Sequence, residues 1–554
     1  MTIQWPTRAR RSGSSGHADL VLRSGKVHAQ TDAAPVEAVA LRGGAVARVG
    51  ADRDLQDLIG PATEVVDLAG RTVVPGLIDS HIHVVRGGLT WDQERFWFEV
   101  DSLEAGLDII REQVDTQPPG TWIRVVGGWH GGQFRERRGP TSAELTALAP
   151  EHPVYVQLLY EEAVLNAAGL RAAGIDRGTP DPERGAYDRD AATGEPTGVV
   201  RGIGAFQHCL GQGPAPSPQE PSTSTQAMLR SLAGYGLTGA IDAGGLGMTP
   251  DSYRPLFELW RQGPLPLKLR LYVCAATRGG EADEIGAWVR HTRPGFGDAW
   301  LQHVGVGEIA HFGCHDLEGL HDFSVAPAAQ DELERILLDV ARAGWPLHIH
   351  AVLDDTTSAV LDVWERVHRQ VPIARLRWSL AHVEPISDHN LDRVARLGAG
   401  IAVQDRLVYR ATDSARVWGE EAVRRGPPLR NILDRGIPLG AGTDATRVAS
   451  PNPWVSLWWL VTGRTYDDGP ERDPRQCLTR EEALHAYTRG SAWFSVEEHD
   501  RGALEPGMAA DLAVLDDDYF TVDDDAIRRL RSELTVVEGR VSHASGDFAG
   551  LTTP

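Results

Sequence analysis

From Ala18 to Leu68 the chain alternates short apolar runs with glycines: A-D-L-V-L-R, A-V-A-L-R-G-G-A-V-A-R-V-G and T-E-V-V-D-L. A period of two broken by Gly-rich turns predicts a small antiparallel sheet rather than helices. Near the other end, A-A-D-L-A-V-L-D (509 to 516) and E-L-T-V-V-E-G-R-V-S (533 to 542) have the same pattern. Two β-rich ends around a long middle predict one small β-sandwich domain built from both termini, 17–74 with 490–548. Chain ends commonly lie close together, so the pairing is physically unforced.

The middle has a different rhythm. Apolar runs recur at V-V-P-G-L-I-D-S-H-I-H-V (73 to 84), 236 to 244, 267 to 275, 304 to 312, 346 to 352, 377 to 384, 400 to 405 and 437 to 444. Helical signals fill most of the gaps. A-Q-D-E-L-E-R-I-L-L-D-V-A-R-A-G runs to a terminal Gly344, and S-D-H-N-L-D-R-V-A-R-L-G opens on a Ser cap and closes on Gly398. Eight strands alternating with helices predict a (β/α)8 TIM barrel over 75–84 and 226–489. The interval after the first barrel strand is too long for one crossover and has its own strand-like runs, T-W-I-R-V-V-G-G-W and P-V-Y-V-Q-L-L. Residues 85–225 are therefore expected to form an α/β insertion near the barrel mouth. The Pro/Ser-rich stretch 211–225 reads as a linker or loop on the way back.

Composition narrows the function classes. With 42% hydrophobic and 24% charged residues, the chain is that of a soluble globular protein. A formal charge of -22 argues against a nucleic-acid partner, since phosphate binding needs a basic field. No run of 18 apolar residues exists to span a membrane, and the basic N-terminus lacks the apolar core of a secretory signal. Cys209, Cys274, Cys314 and Cys477 form no C-x-x-C pair, which fits a reduced compartment. A cytoplasmic protein acting on a small molecule is expected, alone or as a homo-oligomer such as a dimer, with residues 1 to about 16 mobile.

The candidate chemistry sits on the barrel strands. His81 and His83 are two residues apart on a strand and so point the same way, ready to share a metal. H-x-H alone could be two hydrogen-bonded core histidines. Later strands add Glu308, His350, His382 and Asp444, each in or at the end of a predicted strand, where a TIM barrel builds its active site. Singly, each has an ordinary structural explanation; recurrence at matching places on five strands points to a cation at the mouth. Sixteen tryptophans, among them Trp91, Trp97, Trp122, Trp129, Trp345, Trp378, Trp418 and Trp454, fall in or near mouth loops and the insertion. Most are expected to pack cores; the rest could line a pocket for a flat or apolar group.

V-P-G-L-I-D-S-H-I-H, H-A-V-L-D, L-A-H-V-E, G-A-G-T-D and G-A-L-E-P-G-M-A-A-D-L-A-V-L-D together resemble the amidohydrolase superfamily, and within it the amidohydrolase-3 branch that includes N-substituted formamide deformylases. The likeness runs from about 18 to 545 and includes G-G-W-H (127 to 130) of the insertion. It implies that His81, His83 and Asp444 hold the more buried of one or two divalent ions, Zn2+ before others, and that His350 and His382 hold or face a second. It implies further that hydroxide on the metal attacks a C–N amide bond, that Asp444 passes the proton to the leaving nitrogen, and that the metal or a free His382 polarises the carbonyl. An N-acyl or N-formyl amine with an aromatic or bulky substituent is the expected substrate. A deaminase or cyclic-amide hydrolase using the same water is the alternative, and a metal-free scaffold a third reading. Two departures stand out. Glu308 replaces a lysine that many relatives carboxylate to bridge two metals; being shorter, it cannot fill that place unless its strand moves inward, so either it bridges a tighter two-metal site or one metal sits on His81, His83, His350 and Asp444 and leaves His382 for catalysis. Tyr160-Glu161 replaces a common Gly-His, which, with Trp129, makes these three the expected substrate contacts.

Overall fold

The computed structural model describes residues 16–29, 34–212 and 220–551. The segment expected to be mobile, up to residue 15, lies outside the described residues, as does the centre of the Pro/Ser-rich stretch. The end of that stretch is not a linker. It opens the helix Glu220–Gly234, where Pro221 lies in the first turn and Met228, Leu229 and Leu232 are buried. Proline is tolerated there because its missing N–H has no intrahelical acceptor to lose.

Eight strands make the barrel: β1 Leu77–Ile82, β2 Leu237–Asp242, β3 Lys268–Val273, β4 Leu301–Val306, β5 Leu347–Ala351, β6 Trp378–His382, β7 Gly400–Gln404 and β8 Leu439–Gly442. They follow one another in order, each parallel to the next. At the closing seam the Asp444 N–H donates to the His81 carbonyl at 2.8 Å. All-parallel strands are covered on both faces, which is why they read as continuous apolar runs rather than alternations. The predicted caps hold: Ser387 accepts the Asn390 N–H, Gly398 ends that helix at φ 66°, and Gly344 follows Pro327–Arg342 at φ 76°.

Strands from both chain ends build the small domain. One sheet runs Ala45–Gly50, Ala38–Arg42, Leu20–Arg23, Glu64–Asp67. The other joins Lys26–Val27 and Thr72–Pro75 to Leu512–Leu515, Ser532–Val537 and Arg540–Ala544. A shared core of Leu22, Val39, Val73, Leu512 and Val536 packs them together. Buried ion pairs fasten this domain to β3, where Lys268 meets Asp511 at 2.8 Å and Glu538 at 2.7 Å. The insertion forms a six-stranded mixed sheet ordered Ala186–Arg189, Pro196–Arg201, Glu162–Leu165, Val154–Leu158, Ile123–Val126, Glu94–Arg95. Its Arg447–Glu94 contact, two bonds of 2.9 Å, ties it to the loop after β8.

Candidate metal centre

β1 ends by sending His81 and His83 to the carboxyl rim, where β8 delivers Asp444. His83 Nε2 lies 2.9 Å from Asp444 Oδ1, and His81 Nε2 lies 3.6 Å from the same oxygen. Glu308, two residues beyond β4, reaches both rings, with Oε2 3.4 Å from His81 Nε2 and Oε1 3.7 Å from His83 Nε2. The donor atoms of His81, His83 and Asp444 lie close enough together to share a cation, and Glu308 groups with His81 and His382. A Cβ on Gly307 would stand 2.2 Å from Tyr272 Cβ, so only glycine lets the chain press against β3 at that point.

Hydrogen bonds fix which ring nitrogen faces inward. The Ser379 hydroxyl donates to the Leu347 carbonyl (3.1 Å), which leaves its oxygen to accept from His348 Nδ1 (2.8 Å). His348 Nε2 then carries a lone pair and accepts from His81 Nδ1 at 2.8 Å. The His81 Nε2 lone pair is thereby aimed at the two carboxylates; it is buried and without a hydrogen-bond partner. His83 Nδ1 donates to the Gly244 carbonyl (2.8 Å) and His350 Nε2 to the Leu317 carbonyl (2.6 Å). His83 Nε2 and His350 Nδ1 are left facing the carboxylates, the latter 3.6 Å from Glu308 Oε2. Each ligating ring thus has its far N–H held by an acceptor, as metal-binding histidines do.

Electrostatics agree with this arrangement. Burial pulls the His81 imidazole down, but the Asp444 and Glu308 carboxylates facing its Nε2 override that and lift the ring to about 9. His350 rises to about 10 against the same burial cost, through Asp316 and Glu308. Burial pushes the Asp444 and Glu308 carboxyls up, yet the surrounding histidines hold both well below the usual carboxylate range. A proton or a cation satisfies the same lone pairs, so cation binding here releases protons. His382 behaves differently. Burial and the neighbouring His350 hold it well below its ordinary value, and its Nδ1 is buried with no hydrogen-bond partner. His382 and Asp444 both adopt left-handed backbone, φ 76° and 56°, strain of the kind that collects at functional sites.

His315 escaped the sequence reading. It follows β4 in a loop and stacks on His350 with ring centroids 3.9 Å apart, and its donor atoms cluster with those of Glu308 and His350. Its Nδ1 accepts the Leu317 N–H at 3.1 Å, so the neutral ring carries its proton on Nε2. In that tautomer His315 is a hydrogen-bond donor rather than a ligand. His348 was also missed, although H-I-H at 348 to 350 repeats the spacing of 81 to 83.

The site opens into a cavity of about 1210 Å³ bordered by His83, Glu308, His350 and Asp444. Tyr160 lines it as expected. Glu161 stands behind the wall, 4.0 Å from the lining residue Arg410. Trp129 requires a correction: it is buried in the insertion's own core against Trp97 and Phe134, with its indole N–H on the Gln157 carbonyl. It cannot touch a substrate in the cavity. The other tryptophans singled out also stay away from the lining; Trp97, Trp345, Trp378 and Trp454 are fully buried. Phe206, Phe312 and Phe323 supply the aromatic surface instead.

A parallel eight-stranded barrel with histidines and carboxylates gathered at the carboxyl ends of its strands defines a metal-dependent hydrolase of the TIM-barrel class. Residues 64–543 match the model of the amidohydrolase family, and the chain belongs to that family. It is an enzyme, a hydrolase acting on carbon–nitrogen bonds other than peptide bonds. It is 26% identical over 527 residues to the N-substituted formamide deformylase of Arthrobacter pascens, covering 91% of this chain and 94% of that one. Among solved structures it resembles an uncharacterized metal-dependent hydrolase from Pyrococcus horikoshii (TM-score 0.64, 22% identity, 91% and 99% covered). It also resembles the atrazine chlorohydrolase TrzN from Arthrobacter aurescens complexed with zinc (TM-score 0.53, 17% identity, 96% and 97% covered).

Proposed function

We propose that the enzyme hydrolyses the C–N bond of an N-acyl or N-formyl amine, using one divalent ion held by His81, His83, Glu308 and Asp444. The observation that carries this reading is the convergence of the His81, His83 and Asp444 donor atoms within reach of one cation, with Glu308 beside both rings. Two imidazoles and two carboxylates suit Zn2+, the ion named with one solved relative. A single ion is favoured over two because the group of His81, Glu308 and His382 shares His81 with that of His83 and Asp444, while the group of Glu308, His315 and His350 depends on His315, whose Nδ1 accepts from Leu317. When bound, such an ion acidifies water and polarises a carbonyl.

The protein's own groups do the rest. Asp444 borders the cavity, where its carboxylate takes the proton of the attacking water and hands it to the departing nitrogen. His382, buried, with a ring nitrogen grouped with the donors of His81 and Glu308, is the group we assign to steadying the negative charge that builds on the carbonyl oxygen. The cavity volume and its Tyr160 and phenylalanine walls suit a bulky or aromatic substituent on the amine.

Product analysis tests the reading. Zinc-loaded enzyme is incubated with N-formyl and N-acetyl arylalkylamines, with amine followed by fluorescamine and the acid by proton NMR. Amine and carboxylate in equal amounts are expected. Ammonia released from an amino-substituted heterocycle, with no amide of the panel cleaved, would overturn it in favour of deamination.

A further inference from the structure

Six arginines line the cavity: Arg86, Arg184, Arg278, Arg406, Arg410 and Arg447. Three are neutralised by carboxylates, Arg406 by Glu384 (2.9 Å), Arg410 by Glu318 (2.7 Å) and Arg447 by Glu94 (2.9 Å). Arg86 is not. It lies in the helix Val84–Gly88, three residues after His83, half-buried, and its Nε is fully buried without a hydrogen-bond partner. No carboxylate among the described residues lies within 4 Å of the Arg86 guanidinium, and the buried Asp242 acts on it only through space, in a chain with 77 acidic and 55 basic side chains. Partly desolvating a guanidinium whose donors no carboxylate accepts is costly, so the wall holds donors suited to an incoming anion. Its place is beside the metal group. Gly245, at φ 140°, leaves a small space bordered by His83 Nδ1 and Arg86 Nη1, 3.2 and 4.0 Å from where a Cβ would stand. Arg278, stacked 5.3 Å over Phe312 and likewise unpaired among the described residues, adds positive charge at the exposed rim. Apart from the metal group, the acidic lining residues are Glu318, held by Arg410, and Glu183 at the exposed rim.

We infer that the substrate is an anion: an amide with a carboxylate close to the amide nitrogen, as in an N-acyl amino acid, seated on Arg86. The inference rests on the amide-hydrolase reading and narrows it. Water's oxygen bonds to the acyl carbon, the C–N bond breaks with its electron pair on nitrogen, and nitrogen takes the proton carried by Asp444. The products are a carboxylic acid and a free amino acid. Arg86 holds the carboxylate and takes no part in bond making.

The test compares N-formyl- and N-acetylphenylalanine, both enantiomers, with N-formyl- and N-acetylphenethylamine, which lack only the carboxylate. Wild-type enzyme is expected to favour the anionic member of each pair in kcat/KM. Arg86→Gln should lose about ten- to hundredfold on the anion, the usual range for a charged hydrogen bond, with the neutral compound within about twofold. Arg86→Lys, which keeps the charge but not the fork, should recover part of the loss. Equal rates on both members, or equal losses on both in Arg86→Gln, would overturn the inference. Should no amide be cleaved, which counts against the amide-hydrolase reading, calorimetry on the zinc-loaded wild-type protein decides separately. Tighter binding of N-acetylphenylalanine than of N-acetylphenethylamine, abolished by Arg86→Gln, would support the anion site. No Arg86-dependent preference would sink it.

Discussion

Replacing His348 by leucine tests whether the centre is organised from below. In the wild-type protein His348 Nε2 accepts the His81 Nδ1–H at 2.8 Å in a fully buried setting. Leucine keeps bulk but offers no acceptor. Ser379 keeps its bond to the Leu347 carbonyl, so the loss falls on His81 alone. That ring can escape an unpaired N–H by moving its proton to Nε2, which removes the lone pair a cation needs. Cation binding then forces Nδ1–H back without a partner, at a cost of about 1–3 kcal/mol. Metal affinity should therefore fall about 5- to 150-fold, in line with the usual effect of removing a group behind a ligating histidine. Competition against a chromophoric zinc chelator measures the affinity, and thermal melting of the chelator-treated protein checks that the fold survives. His348→Gln, which restores an acceptor, should recover part of the loss. Wild-type zinc affinity in His348→Leu would refute the tautomer argument.

Three further outcomes are expected. Asp444→Asn should fold normally and lose at least about a hundredfold in kcat, the scale of a general base; near-normal turnover would remove Asp444 from proton transfer. Trp129→Ala should destabilise the protein by about 3–5 kcal/mol in urea, as for a buried tryptophan, while zinc affinity stays unchanged; altered zinc affinity without destabilisation would contradict its placement in the insertion core. His303, buried beside Trp288 and Phe257, is pushed down to about 4 by burial. Below the ordinary value of 6.5 the unfolded chain binds the proton more tightly, so stability falls as pH drops from about 6.5 to 4, by about 3 kcal/mol in all. His303→Phe should flatten that slope, and an unchanged slope by chemical denaturation would show that His303 is not its source.

Much of the centre was legible because strand periodicity fixes direction. His81 and His83 had to share a face, and eight recurring apolar runs had to put their last residues at one rim, so Glu308, His350, His382 and Asp444 could be placed before any coordinates. What could not be read depended on side-chain packing across strands. Trp129 closes a strand-like run on a pair of glycines, which says nothing of its direction, yet its indole is captured by Trp97 and Phe134. His348 carries no signal of its own in the sequence beyond the H-I-H spacing, and only the register of β5 against β6, His348 opposite Ser379, makes it the support for His81. His315 lies in an irregular loop with no periodicity to orient it, and its proton position depends on one backbone N–H. Glu308 reaches its neighbours because Gly307 admits a close approach, a fact visible in the sequence as a glycine but not as a distance.

The most direct measurement is crystallography of zinc-loaded protein with data collected on both sides of the zinc absorption edge. An anomalous peak bounded by His81 Nε2, His83 Nε2, Glu308 and Asp444 is the predicted result, with His315 outside its coordination sphere. A peak elsewhere, or no peak at full zinc loading, would contradict the central claim.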